Sequence, residues 1–392
     1  MKTFLLIAGF LLLFGVEILR VYFIMPFPGS QQNNTIDIAY WLHNNIWWLR
    51  LAGIALLVYP VVDIMKHGGK RSKLVTAALL ILFAFIFFMF NFRFEADKMF
   101  YQPAIKQFSG KGNNIIDTSS LVIGVSLNNE AKAYPIELIG YHHQVRDTIG
   151  GTPVMITYCT VCRTGRVYNP TVHGRDESFR LVGMDHFNAM FEDKQTKSWW
   201  QQATGRAIAG PLKGASLSEI RSKQVSLATW LRDYPASTIM QPDTTFSKRY
   251  ADLEGFDKGT IESSLEKRDS LSWQNKSWVV GVIVNEQPKA YDWNELVDKR
   301  LIQDRVKSVP LLITLESDTA SFHVFNRMLD KQELSFELMA TQNIMKDSNT
   351  NSEWNLQGKC IAGALMNKQL ESIQAYQEFW HSWKTFHKET LK

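Results

Sequence analysis

Two cysteines three positions apart, in Tyr158-Cys159-Thr160-Val161-Cys162, carry the clearest chemical potential of this 392-residue chain. Cys-x-x-Cys spacing lets two sulfurs meet on one tight turn, where they can hold a soft metal ion or react through a thiolate. A comparison within the chain sharpens the point. Residues 122–182 align without a gap on residues 279–339, with Val122 to Tyr134 against Val279 to Tyr291 and Pro153 to Thr157 against Pro310 to Thr314. One module is used twice. In the second copy Cys159 becomes Glu316, Cys162 becomes Thr319, and His142 and His143 become Lys299 and Arg300. Both copies must bury the same faces, so the fold does not need the cysteines; the first copy reads as chemically equipped and the second as its degenerate partner.

Four readings of the pair compete. A thioredoxin-type redox motif needs the cysteines to open a helix, but here they follow the strand pattern Met155 to Tyr158 and lead through Arg163-Thr-Gly into another. A metal knuckle needs about four ligands, and with no second Cys-x-x-Cys the others must come from His142, His143, Asp185 or His186. The second copy offers Lys299, Arg300, Gln342 and Asn343 instead. A structural disulfide suits an oxidising compartment, although a four-residue loop closes little chain entropy. The fourth reading is two small buried residues lining a turn. Three cysteines in the chain exclude a disulfide-dense scaffold, and Cys360, facing Ala207 in the alignment, reads as core.

Other residues gather around this question. Arg163 could hold a thiolate or bind an anion, though a lone Arg at a turn is usually solvated. Trp199, Trp200 and Gln202 offer aromatic walls and an amide donor that suit a ligand cleft, or else fill a core. Asp147 has Asp304 as its counterpart and reads as a structural turn residue.

The elements that must position these residues follow from hydropathy and turn signals. Three apolar stretches, about Phe4 to Phe23, Ile46 to Ile64 and Leu74 to Phe92, each approach the roughly 20 residues that span a bilayer. They place a membrane domain at residues 1–95. Lys66-His-Gly-Gly-Lys-Arg-Ser-Lys73 is the basic loop, so the positive-inside rule puts it and the amino terminus in the cytoplasm. No small-residue cleavage site follows the first stretch, which reads as a retained anchor. Glu17 and Arg20, three apart on one helix face, read as a neutralising pair. The location implied is the cytoplasmic (inner) membrane with an extracytoplasmic soluble region.

That region reads as β-rich α+β, with a first lobe at 115–235, a connection at 236–277 and a second lobe at 278–388. Strands are expected at 121–127, 153–158, 166–169 and 178–182, with short helices opening near Pro135 and spanning Ser226 to Tyr234 and Tyr376 to Phe386. The formal net charge of +5 is modest, and no basic stripe points to nucleic acid.

Asp147-Thr-Ile-Gly-Gly-Thr-Pro153, Tyr158-Cys159-x-x-Cys162, Thr196-x-Ser-x-Trp200-x-Gln202 and Gly210-Pro211-Leu-x-Gly214 together resemble the prokaryotic domain-of-unknown-function family 3179. The resemblance runs from about residue 115 to the end of the second copy. Where this chain has Tyr-Cys-Thr-Val-Cys the family usually has Tyr-Cys-Pro-Leu-Cys, and Tyr141-His142-His143 stands where the family has Trp-His-Glu. His142 therefore falls on the family's histidine. The resemblance identifies the domain and implies no particular reaction.

The expectation is a membrane-anchored extracytoplasmic protein with a Cys/His metal or reactive-thiol site. Cys159, Cys162 and His142 are the proposed ligands, with His143, Asp185, His186 and Arg163 as further candidates. Soft thiolate and imidazole donors suit a transition metal such as zinc or copper. Two alternatives stay open: a non-catalytic module with a structural disulfide that binds a small molecule or protein partner, and a thiol-disulfide oxidoreductase on an unfamiliar fold.

Overall fold

The computed structural model describes residues 1–339, 341 and 343–392. Two compact units make up the chain. One comprises residues 1–101, 177–201 and 206–216; the other comprises 102–176, 202–205 and 217–392.

The first unit contains three helices long and apolar enough to cross a membrane: α1 (Lys2–Tyr22), α2 (Ile36–His67) and α3 (Lys70–Phe92). α2 begins ten residues before the apolar run at Ile46 does, because Ile36 to Asn45 continues as a helix whose polar residues could not mark a span. Glycines let α1 and α2 approach closely. A Cβ on Gly9 would lie 2.7 Å from Leu57, and one on Gly53 would lie 2.6 Å from Leu13, the small-residue packing that membrane helices favour. Glu17 is fully buried, but its main partner is not Arg20. Arg50 of α2 grips it with two hydrogen bonds of 2.6 and 2.9 Å, while Arg20 stands 3.9 Å away and pairs with Glu95 at 2.7 Å. The same unit holds a four-stranded sheet in the order Ala207–Ala209, Trp199–Gln201, Asn188–Asp193, Phe179–Asp185.

The second unit is a set of small sheets. Strand Leu121–Leu127 lies between Glu130–Pro135 and Lys223–Ser226. Helix Ile136–His142 follows, and then a three-stranded sheet of Gln144–Ile149, Thr152–Cys159 and Thr164–Tyr168. The order of elements recurs downstream: Trp278–Val284 between Gln287–Asp292 and Ala375–Phe379, then helix Trp293–Lys299, then Leu301–Val306, Val309–Leu315 and Phe322–Asn326. Ladder partners recur too. Val122 faces Pro135 as Val279 faces Asp292, and Gln144 faces Thr157 as Leu301 faces Thr314. In each half a tyrosine hydroxyl donates to an aspartate, Tyr134 to Asp147 at 2.7 Å and Tyr291 to Asp304 at 2.8 Å.

Each half ends in a short helix, Leu227–Asp233 or Trp380–Phe386, whose tryptophan lies on a glycine in an interior strand of its sheet. A Cβ on Gly124 would sit 2.2 Å from Trp230, and one on Gly281 would sit 2.2 Å from Trp383. Gly124→Ala should therefore cost roughly 1–3 kcal/mol through overpacking. Thermal unfolding followed by tryptophan fluorescence checks this, and a variant as stable as wild type would mean that Trp230 can move aside.

Within the connection at 236–277, Thr238–Gln241 forms a strand between Gln107–Ser109 and Glu130–Pro135, parallel to the latter. One expectation needs correcting. Tyr376 to Phe379 is extended, and the helix begins only at Trp380. Both strands pair with partners far away in sequence, which local propensity does not register.

Candidate functional site

Cys159 ends strand Thr152–Cys159, and Cys162 sits in the turn Thr160–Arg163 that leads into Thr164–Tyr168. Cys159 pairs across the ladder with Thr164, and the Arg163 amide closes the turn on Thr160 O at 3.2 Å. Arg163 has φ 54°, the left-handed conformation that lets the chain reverse so tightly. Both cysteines are thiols with 0% exposure. The Cys162 thiol is hydrogen-bonded to Cys159 and to Ser382, so the two sulfurs are neighbours. Burial pushes the Cys162 thiol well up from its ordinary value; the contact with Cys159 adds to this, and Ser382 and the charge of Lys276 oppose it.

The shell around the turn comes from distant sequence. Lys276 Nζ donates to Val161 O at 2.6 Å, His381 Nε2 lies 3.1 Å from the same oxygen, and the Phe379 amide donates to Cys162 O at 3.0 Å. Thr160 Oγ1 meets Glu266 at 3.3 Å. Burial lowers the Lys276 pKa, although the two thiols and Glu266 oppose the shift. Burial and then Lys276 push His381 down to about 3, so this imidazole is neutral at pH 7.

The equivalent turn of the second half is held by ions. Glu316, in the place of Cys159, accepts from Arg232 at 2.7 and 2.9 Å, and meets His323 at 2.8 Å and Gln357 at 2.6 Å. Burial opposes its charge, but the hydrogen bonds from His323 and Arg232 hold it down to about 2. The covering is reciprocal. Ser382 of the last helix reaches Cys162, and Thr229 of helix Leu227–Asp233 lies 3.5 Å from Glu316. The strands before these helices are joined by Gln224, which donates to Gln377 at 2.8 Å.

The residues read from sequence are distributed as follows. His142 ends helix Ile136–His142, and His143 caps it with φ 60°. His142 Nε2 shares a 2.7 Å hydrogen bond with Tyr250 Oη and packs against Phe246. His143 Nδ1 lies 3.1 Å from Tyr141 O, and burial pushes its pKa down to about 4. Asp185 and His186 belong to the first unit, where they pair with each other at 2.6 Å. Of their counterparts, Gln342 lies outside the described residues. Among the described residues no group of three or more His, Cys, Asp or Glu side chains is gathered as a metal centre.

Arg163 is not solvated. It is 1% exposed and donates to Gln377, Phe256 O and Asp257 O. Trp199 and Trp200 are buried in the first unit's sheet, donating their indole N–H groups to Glu192 at 3.1 Å and Asp193 at 2.9 Å. Gln202 donates to Thr157 Oγ1 and Thr164 O, both at 3.0 Å, tying together the strands on either side of the cysteine turn. Sequence reasoning missed Lys276, His381 and Ser382. One signal was available for two of them: in the alignment of the terminal helices, set by Trp230 and Trp383, His381 and Ser382 replace Ala228 and Thr229.

No curated protein and no solved structure matches the chain. Residues 101–390, nearly the whole β-rich region, match the model of the family described as "Protein of unknown function (DUF3179)", and the chain belongs to that family.

Proposed function

We propose that Cys159 and Cys162 form a redox-active dithiol in a membrane-anchored protein. The observation that carries this reading is the contact between the two sulfurs, on a turn that Lys276, His381 and Ser382 enclose. The chemistry is a two-electron exchange. A thiolate of the pair attacks one sulfur of an external disulfide, the other sulfur leaves as thiolate, and the second cysteine resolves the mixed disulfide to give the Cys159–Cys162 disulfide and a second external thiol. Lys276 favours the attacking thiolate by its charge, while burial raises the Cys162 thiol and keeps it protonated at rest. Reaction then requires a local opening of the turn.

The internal duplication supports this assignment. We read the recurring order of elements and ladder partners as two homologous copies, of which one keeps the dithiol and the other has replaced it by the Glu316 ion cluster. We read the Lys66 to Lys73 loop as cytoplasmic by the positive-inside rule, which would put the β-rich region in an extracytoplasmic compartment where disulfide exchange is sustained. A reporter fused after residue 392 should be active outside; cytoplasmic activity would overturn this topology.

A second reading rests on the same geometry. Two thiolates beside one ammonium suit copper(I), which accepts two soft sulfur ligands, better than zinc, which needs about four donors. Competition with a chromogenic copper(I) chelator separates it from the redox reading.

The role of Lys276 is testable on its own. Lys276→Gln should slow reaction of the pair with a small methanethiosulfonate at pH 8 by roughly three- to tenfold, because less thiolate is present. An unchanged rate would remove Lys276 from the mechanism.

A further inference from the structure

A cavity of about 520 Å³ lies beside the cysteine turn in the second unit, and its lining includes Arg163, Arg268, Trp278, Trp293 and Gln377 but neither cysteine. That volume is in the range of small-molecule pockets. Two guanidinium groups share one aromatic ring there. Arg163 Cζ lies 3.8 Å and Arg268 Cζ 4.1 Å from the Trp278 ring centroid. Their hydrogen bonds go to uncharged oxygens: Arg163 to Gln377 Oε1 and two backbone carbonyls, and Arg268 to Asn294 Oδ1 at 2.8 Å. Neither has a carboxylate within ion-pair distance among the described residues. Trp278 offsets part of this by cation–π attraction, but two adjacent like charges remain, and burial followed by Arg163 lowers the Arg268 pKa.

Three buried donors on residues that line this cavity have no partner among the described residues: Arg268 Nε, Trp278 Nε1 and Gln377 Nε2. Each such group costs about 1–3 kcal/mol when left unmade, and native structures hold few of them. Asp257 Oδ1 on the same lining is unpartnered as well, but the three donors outnumber it, and beside two guanidinium groups that have no ion-pair partner among the described residues they describe a site whose missing component is a hydrogen-bond acceptor with negative charge.

We propose that this cavity binds a small carboxylate. The planar two-oxygen group matches the guanidinium fork and the neighbouring indole N–H, and Trp293, Leu121 and Val297 supply apolar wall for an organic body. A phosphate dianion is disfavoured because Asp257, Asp298 and Asp318 also line the cavity. The inference does not depend on the dithiol reading, since Arg163 alone is shared with the cysteine turn.

Thermal unfolding of the full-length protein in detergent tests it, with succinate, benzoate and inorganic phosphate as probes at matched ionic strength. Saturating succinate or benzoate should raise Tm by roughly 5 °C or more, with phosphate giving less than half that shift. Arg268→Met should abolish the shift and raise the Tm of the ligand-free protein, because it removes a like charge and an unpaired donor. Trp278→Phe keeps the ring but loses the indole N–H, and should weaken binding roughly tenfold. No carboxylate-dependent shift in wild type, an equal response to phosphate, or full affinity retained by Trp278→Phe would each overturn the proposal.

Discussion

Arg166→Met should lower stability by roughly 3–5 kcal/mol, the cost of leaving one partner of a buried ion pair alone. Arg166 and Glu378 are 2% and 1% exposed and meet at 2.5 Å. The guanidinium also donates to Ala203 O and Gly165 O, and lies 3.4 Å from the Tyr376 ring centroid. Among the described residues Glu378 would keep as side-chain donor only Ser382, which donates to it at 2.9 Å. Replacing both ions is expected to cost much less, because well-packed apolar residues often substitute for a buried pair without loss. The double variant Arg166→Met with Glu378→Leu should therefore recover much of the stability, short of the part lost because Glu219, 3.8 Å from Arg166, also loses its cation. Denaturant titration of the three variants measures the coupling. Simple additivity of the two single losses would show that the pair does not act as a unit. Since Ser382 also touches Cys162, the single variants should change thiol reactivity as well as stability.

Glu316→Gln is expected to cost roughly 2–3 kcal/mol at pH 7, from a carboxyl held at about 2 against an ordinary 4.5. Arg232 is half exposed, so water screens part of its contribution. The sign follows from the lowered value. Stability from this group is complete above pH 4.5, declines as pH falls, and is gone near pH 2. The gap between wild type and Glu316→Gln should close over that range. Comparing the two proteins isolates this carboxyl from other titrations. Burial holds His143 at about 4 and His381 at about 3, so these also lose stability in acid, whereas Glu137, raised by burial to about 7, and Asp257, raised to about 6, act in the opposite direction. A gap that stayed constant from pH 7 to pH 3 would contradict the ionic account of this turn.

Much of the architecture was legible because it is local. Three apolar runs, the Asn128-Asn129 and Gly150-Gly151 turns, and the alternating segments around the cysteines mark helices and strands directly. The reading that Cys159 and Cys162 lie between two strands rather than at a helix start followed from Arg163-Thr-Gly. What escaped was set by distance. Lys276 and His381 reach Val161 from more than 100 residues away, and nothing in their own neighbourhoods marks them. Arg163 read as a solvated turn residue because its burial depends on Phe256, Trp278 and Gln377, supplied by later parts of the chain. The helix opening near Pro135 is legible, but not its end: it runs from Ile136 through His142, and His143 caps it. Glu17 was matched with its helical neighbour, whereas in a bundle the better-placed Arg50 of another helix wins.

The dithiol is the centre of this account, and one measurement addresses it directly. Full-length protein in detergent is equilibrated in buffers of graded dithiol-to-disulfide ratio, quenched in acid, alkylated and weighed by intact and peptide mass spectrometry. The account predicts one two-electron transition in which Cys159 and Cys162 lose their alkylation together and become linked, while Cys360 is alkylated throughout. Cys159 and Cys162 remaining alkylated even in the most oxidising buffer, or becoming blocked one at a time, would contradict it.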